Sequence, residues 1–247
     1  IHVLIEKVKL DSNRVPVTTA LNEAKYGGWM IKVESGGEQD FFIGYDSYTK
    51  FEWYDPDTDE LEQEQLDTIQ GIINNVEQTI IDSGDINSVM GVVDLKTFVD
   101  YWLIQEFARN NEGFTRSQYW FSFGSDGSNS FEPEYKLNET ELFLNLSLGT
   151  YQPKVDRMYI GPVWDMNHAF GATLKEHTGW AIQLFFAVPE VWGYLFMQPW
   201  FQHLIWQRWN VLKYGVLSID KVETVVDDSI LLFKQSNVVN RDQSRWF

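Results

Sequence analysis

A short apolar strand ending at Gly161-Pro162 is followed by Val163-Trp164-Asp165-Met166-Asn167-His168-Ala169-Phe170-Gly171, and this is where the chain invites chemistry. A carboxylate at a strand end among aromatic residues is costly unless something compensates its charge. A metal ion, a phosphate-bearing metal complex or a cluster of backbone amides would each do so, and carboxylates in such settings concentrate at functional sites. His168, beside Asn167, offers a further ligand type, although a hydrogen-bonded core histidine is the commoner outcome. A second block, Glu106-Phe-Ala-Arg-Asn110-Asn-Glu112-Gly113-Phe-Thr-Arg-Ser117-Gln-Tyr119, sets an asparagine and a carboxylate just ahead of a glycine. Glu112 reads equally well as a turn residue.

Other chemistries are excluded or left open by composition. The absence of cysteine removes disulfides, thiolate zinc sites and cysteine nucleophiles. His2, His177 and His203 share no ligand spacing. No Gly-x-Ser-x-Gly turn occurs, Ser117 has no adjacent histidine, and neither a Walker-type loop nor Gly-x-Gly-x-x-Gly is present. Paired carboxylates for sugar hydrolysis stay open, because their separation is a property of the fold.

The elements that must position these residues follow from periodicity and punctuation. Strands are expected over 1–10, 29–34, 40–43 and 50–54, with Gly27-Gly28 and Gly36-Gly37 between them. Leu66, Ile69, Ile72, Ile73, Val76 and Ile80 recur at helical spacing over 61–81, and Asp59, Glu60, Glu62 and Glu64 suit the positive end of that helix. Asp94 is placed to cap a helix over 95–108, directing Phe98, Val99, Trp102, Leu103 and Phe107 inward. Segments 119–123 and 157–163 read as a strand pair around the two blocks. Helices are expected from Pro199 or Trp200 to about Leu212, and from a Ser218 cap to about Gln235. Strands first and helices later argue for an α+β class with the two segregated.

The chain of 247 residues is 44% apolar, enough for a full core. Its net charge of −17 is uneven: residues 34–85 hold 15 Asp or Glu against Lys50 alone. Such a field repels nucleic acid and draws basic protein partners or divalent cations, unless it serves only to solubilise. No apolar stretch reaches membrane-spanning length. The start at Ile1, already strand-like, is expected to mark an excised or processed piece.

The signature block resembles that of the spore-coat protein H (CotH) kinase family of atypical protein kinases, which reads roughly Gly-Pro-Val-Trp-Asp-Phe-Asp followed by Phe and Gly. Glu106 to Tyr119 is similar to the family's Glu…Asn-x-Asp-Gly…Ser-x-Tyr. Glu6-Lys-Val-Lys…Arg14-Val15, Gly27-Gly28-Trp29…Lys32 and Val188-Pro-Glu-Val-Trp192 through Arg208-Trp209 match further family segments in order. The resemblance implies one domain over 1–247 with an atypical protein-kinase-like fold. That fold would have a β-rich N-terminal part (1–56, its lobe incomplete and its phosphate-binding lysine upstream), a mainly helical lobe (57–247), and an insertion at about 124–154. It also implies transfer of a phosphoryl group from ATP, with Mg2+ or Mn2+, to a protein hydroxyl in a secreted or cell-surface bacterial setting. Carried over by position, Asp165 holds the metal, Asn167 assists it, Glu112 orients the hydroxyl and Asn110 supports the site.

Two positions depart from the pattern, which has Asp at both 112 and 167. Glu112 keeps the charge on a longer arm, and a misplacement of about 1 Å can cost roughly a hundredfold in rate. Asn167 keeps a ligating oxygen without the charge, as the asparagine on the second metal of protein kinases does. The alternatives are a catalytically inactive, pseudokinase-like surface or partner-binding module, or a carbohydrate-binding surface protein whose Trp and Tyr rings line an exposed groove.

Overall fold

The computed structural model describes residues 8–10, 15, 17, 27–34, 40–46, 48–124, 157–170 and 190–246. Most of the expected first strand, the insertion beyond Gly124 and the aromatic run from Trp180 to Val188 lie outside these. The described residues form five strands and seven helices in a mixed α+β arrangement.

The strands are β1 (Trp29–Val33), β2 (Phe41–Ile43), β3 (Lys50–Asp55), β4 (Gln118–Ser122) and β5 (Tyr159–Ile160), all antiparallel in the order β2-β3-β1-β4-β5. Segregation of strands from helices is therefore incomplete. The late strands β4 and β5 complete the sheet beside β1, so the segments flanking both chemical blocks belong to one surface. The expected strand over 157–163 contracts to β5, because Gly161 has φ +128° and Pro162 carries no N–H to continue a ladder.

Alternation along β1 decides what each sheet face meets. Trp29, Ile31 and Val33 point into the main core with Phe51 and Trp120, whereas Met30 faces a smaller cluster of Val8, Val15, Val17 and Tyr119. Trp164 packs on that second face, its ring 6.2 Å from Tyr119. The Lys32 ammonium lies 3.1 Å from buried Glu52, which Lys50 approaches at 3.5 Å. The acidic 34–85 stretch thus does more than solubilise: Glu52 is paired with lysines, and buried Asp46 accepts from Tyr48 and Thr49 N–H to close a turn.

Helices α1 (Gln63–Gln78) and α2 (Ile86–Val92) lead into α3 (Leu95–Ala108), followed after β5 by α4 (Glu190–Met197), α5 (Pro199–Tyr214), α6 (Ile219–Ser236) and α7 (Val238–Trp246). The central helix is α3. Asp94 caps it by accepting the Thr97 N–H at 2.8 Å, and Phe98, Val99 and Trp102 are wholly buried between the sheet and α4–α5. Trp102 stacks on Phe196 at 4.8 Å and meets Phe114 at 4.9 Å. Burying one such ring contributes, as an upper bound, on the order of 4–6 kcal/mol.

Candidate functional site

Everything at the candidate site hangs from the C-terminal end of α3. Arg109 stops the helix in the left-handed region (φ 52°), donating its N–H toward the Gln105 and Glu106 carbonyls. The Asn110 N–H then donates to the Gln105 carbonyl at 2.8 Å. A short 3₁₀ turn, Asn111–Phe114, follows. Two groups anchor that turn from below: the Tyr101 hydroxyl donates to the Gly113 carbonyl at 2.7 Å, and Phe114 sits fully buried against Trp102 and Trp192. Burial drives the Tyr101 phenol far above its ordinary range, so it remains a neutral donor. A Cβ at 113 would lie 2.3 Å from the end of the buried Gln105 side chain, so any larger residue there must displace the amide that holds Asn110.

The signature segment docks on this turn. The Phe170 N–H donates to the Ala108 carbonyl at 2.6 Å, and the Phe170 ring meets Phe107 at 6.1 Å. The Asn110 amide donates to Gln105 Oε1 at 2.8 Å and lies 3.3 Å from Met166 Sδ, the residue between Asp165 and Asn167. His168 Nε2 stands 3.4 Å from Glu112 Oε2. From the far end, Gly161 N–H donates to the Tyr119 carbonyl at 2.9 Å, tying the start of the segment to β4. Residues more than fifty positions apart in sequence are therefore in direct contact.

Within this arrangement the four residues singled out from sequence occupy different environments. Asn110 is wholly buried, and its Oδ1 has no hydrogen-bond partner among the described residues. Glu112 is buried too, its carboxylate paired with Arg116 and approached by His168. Asp165 is exposed, takes φ 52°, and accepts no hydrogen bond from any described residue. Asn167 is exposed beside it. An Asp165 carboxylate satisfied by main-chain amides is thus not the arrangement found among the described residues. Sequence reasoning missed Arg116 and Gln105, and it placed His168 in the core, whereas the side chain is one-third exposed at the Glu112 carboxylate. Arg116 had a readable signal, its spacing of four from Glu112.

The donor set suits a hard divalent cation. Asp165 and Asn167 offer oxygen only, and the unpartnered Asn110 Oδ1 is a buried acceptor beside the same loop. Among the described residues no group of three His, Asp or Glu could hold a metal. Magnesium bound through nucleotide phosphates needs only one or two protein carboxylates, so the residues present fit that mode rather than a closed protein cage.

One further buried carboxylate bears on the site from the opposite end of α3. Asp94 is pushed up to about 6, mainly by burial, against the opposing pull of the Thr97 N–H and the Arg157 charge. Its own N–H donates to the Met158 carbonyl, and Thr97 Oγ1 lies 3.3 Å from the Ile160 N–H, so the same cap ties the start of α3 to the strand leading into the signature.

A family model described as CotH kinase protein matches residues 1–247. No curated protein and no solved structure matches the chain.

Proposed function

The chain belongs to the CotH kinase family, and on that premise we propose that it is a kinase-like phosphotransferase acting on protein hydroxyl groups with ATP and Mg2+ or Mn2+. The observation that carries this reading is the junction of the two blocks. Phe170 on Ala108, Met166 on Asn110 and His168 on Glu112 set an exposed Asp165 beside a buried Asn110–Glu112 turn. Phosphoryl transfer asks little covalent chemistry of a protein, only metal-holding oxygens and a group that orients the attacking hydroxyl. When bound, the metal–nucleotide supplies the phosphoryl group and neutralises its charge. Asp165 and Asn167 would hold it, the Glu112 carboxylate would accept the hydrogen bond of the attacking hydroxyl and so orient it, and Asn110 would fix the turn beneath. The domain unit is the whole of 1–247, in a kinase-like fold in which the sheet and α3–α5 share one core. The acidic stretch suits a basic protein substrate, and a secreted or surface bacterial setting accords with the spore-coat link of the family.

A second reading, the same fold binding partners without transfer, is favoured by one observation: both Glu112 oxygens already face cationic or imidazole groups. Of the rings that the carbohydrate-groove alternative needs on the surface, Trp29, Trp102, Trp120 and Trp192 are core residues, whereas Tyr48, Trp206 and Tyr214 are exposed. Thermal unfolding with Mn2+ and ATP tests the main reading. In the full-length protein, which supplies the upstream lysine that the family likeness implies, stabilisation by about 2.7 kcal/mol at a hundred times the dissociation constant is expected, with the gain lost in Asp165→Asn. Absence of any shift at millimolar nucleotide defeats the reading, and binding without transfer to a serine-containing basic peptide selects the second one.

A further inference from the structure

We propose that Arg116 and His168 are positioning residues that hold Glu112 as a bridge between the two blocks, so that glutamate at this position is matched to its partners rather than a decayed aspartate. For its catalytic consequence this rests on the phosphotransfer reading; the bridge itself does not.

The Glu112 side chain is only 10% exposed, and burying a carboxylate is costly unless partners face it. Arg116 supplies one from the same turn. Its N–H donates to the Glu112 carbonyl at 2.8 Å, as does that of Thr115 at 2.9 Å, so local backbone geometry delivers the guanidinium to Oε1. His168 supplies the other from the signature, where it is held by the Ala169 N–H on the Met166 carbonyl at 3.0 Å and by Phe170 on Ala108. Neither Arg116 nor His168 belongs to the motif positions that carry the family likeness. Each carboxylate oxygen keeps a second lone pair, which leaves room to accept one hydroxyl. An aspartate would withdraw the carboxylate by about 1.5 Å, one carbon–carbon bond. The 3.4 Å approach to His168 would then be lost.

The sharpest consequence runs against the family pattern: Glu112→Asp, which restores its usual residue, lowers turnover instead of raising it. Two readouts on the full chain test this. Amide hydrogen exchange at Ala169 and Phe170 should speed up about tenfold, equivalent to 1.4 kcal/mol of lost local stability, in Glu112→Asp and His168→Ala. Amides of β1 and β4 should stay protected and so report intact folding; Arg116→Lys, which keeps the charge but loses the planar fork, serves if either variant fails to fold. Unchanged exchange at Phe170 overturns the bridge. In parallel, phosphorylation of a serine-containing basic peptide with Mn2+ and ATP should show kcat falling roughly ten- to a hundredfold in Glu112→Asp and His168→Ala, while KM for the nucleotide stays within about twofold. A Glu112→Asp variant as fast as the native chain overturns the positioning role. Faster exchange in a chain that binds nucleotide but transfers nothing sustains the bridge and defeats the phosphotransfer reading alone.

Discussion

Helices α3 and α6 are built from the same local signals and end in opposite situations. Each begins after a cap-type residue, Asp94 or Ser218, and each stops on a left-handed one, Arg109 or Asn237, both at φ 52°. α3 is apolar on nearly all sides and lies between the sheet and α4–α5. α6 is longer and carries a one-sided apolar stripe through Val222, Val226, Ile230 and Phe233, yet every residue from Glu223 to Ser236 is exposed. Local propensity decides that a helix forms; the sheet and its neighbours decide whether it becomes a foundation. The candidate site is mounted on the helix with the foundation, and the proposed phosphoryl transfer would demand such close positioning.

Substitutions can press on this contrast from its strongest side downward. Trp102→Ala, in α3, should cost about 3–5 kcal/mol in chemical unfolding, because the ring contacts Phe114, Phe196 and Phe201 at once. A loss below about 1 kcal/mol would mean that α3 is not the foundation described.

Next comes the cap. The Asp94 carboxyl titrates higher in the folded chain (about 6) than in the unfolded one, so its ionised form opposes folding. The native chain should therefore lose stability relative to Asp94→Asn as pH rises from 4 through 6, by up to about 3 kcal/mol, and the difference should level off above pH 7. Asparagine caps helices as well as aspartate does, so thermal unfolding of the two proteins across this range isolates the charge. A difference that shrinks with rising pH would contradict the assignment.

Gly113→Ala is expected to cost about 1–3 kcal/mol through overpacking against Gln105, and to weaken nucleotide-induced stabilisation more than the unfolding loss explains, because Gln105 also holds Asn110. Smallest of all, Leu231→Ser on α6, where the side chain is half exposed, should stay within about 0.5 kcal/mol. A larger loss in the monomer would show that α6 is covered.

Much of the scaffold was readable from residues alone, for reasons these two helices make plain. Asp94 and the stop at Arg109 delimit α3 where the sequence expects it, since capping is a short-range bargain between a side chain and the nearest free amides. Segments β1, β2 and β3 likewise lie within a residue or two of their expected bounds. α2 went unread although Asp85 caps it through the Ser88 N–H, because seven residues hold too little periodicity. α4, Glu-Val-Trp-Gly-Tyr-Leu-Phe-Met, is apolar all round and so shows no face to detect. The position of β1 between β3 and β4, and the meeting of His168 with Glu112, depend on pairings across long sequence distances that no local pattern encodes. For the candidate residues, burial was not legible: Asn110 is wholly enclosed and Asp165 is open to solvent.

The backbone twist at Asp165 governs how its role must be interrogated. With φ at 52°, this residue occupies a conformation that asparagine and aspartate tolerate and alanine resists at roughly 1–2 kcal/mol. An alanine scan would therefore report the loop's own relaxation as though a ligand had been removed, and glycine would err the other way by loosening the hinge. Only the isosteric amide leaves the chain path alone while erasing the negative charge, which makes it the one clean probe of what that carboxylate contributes.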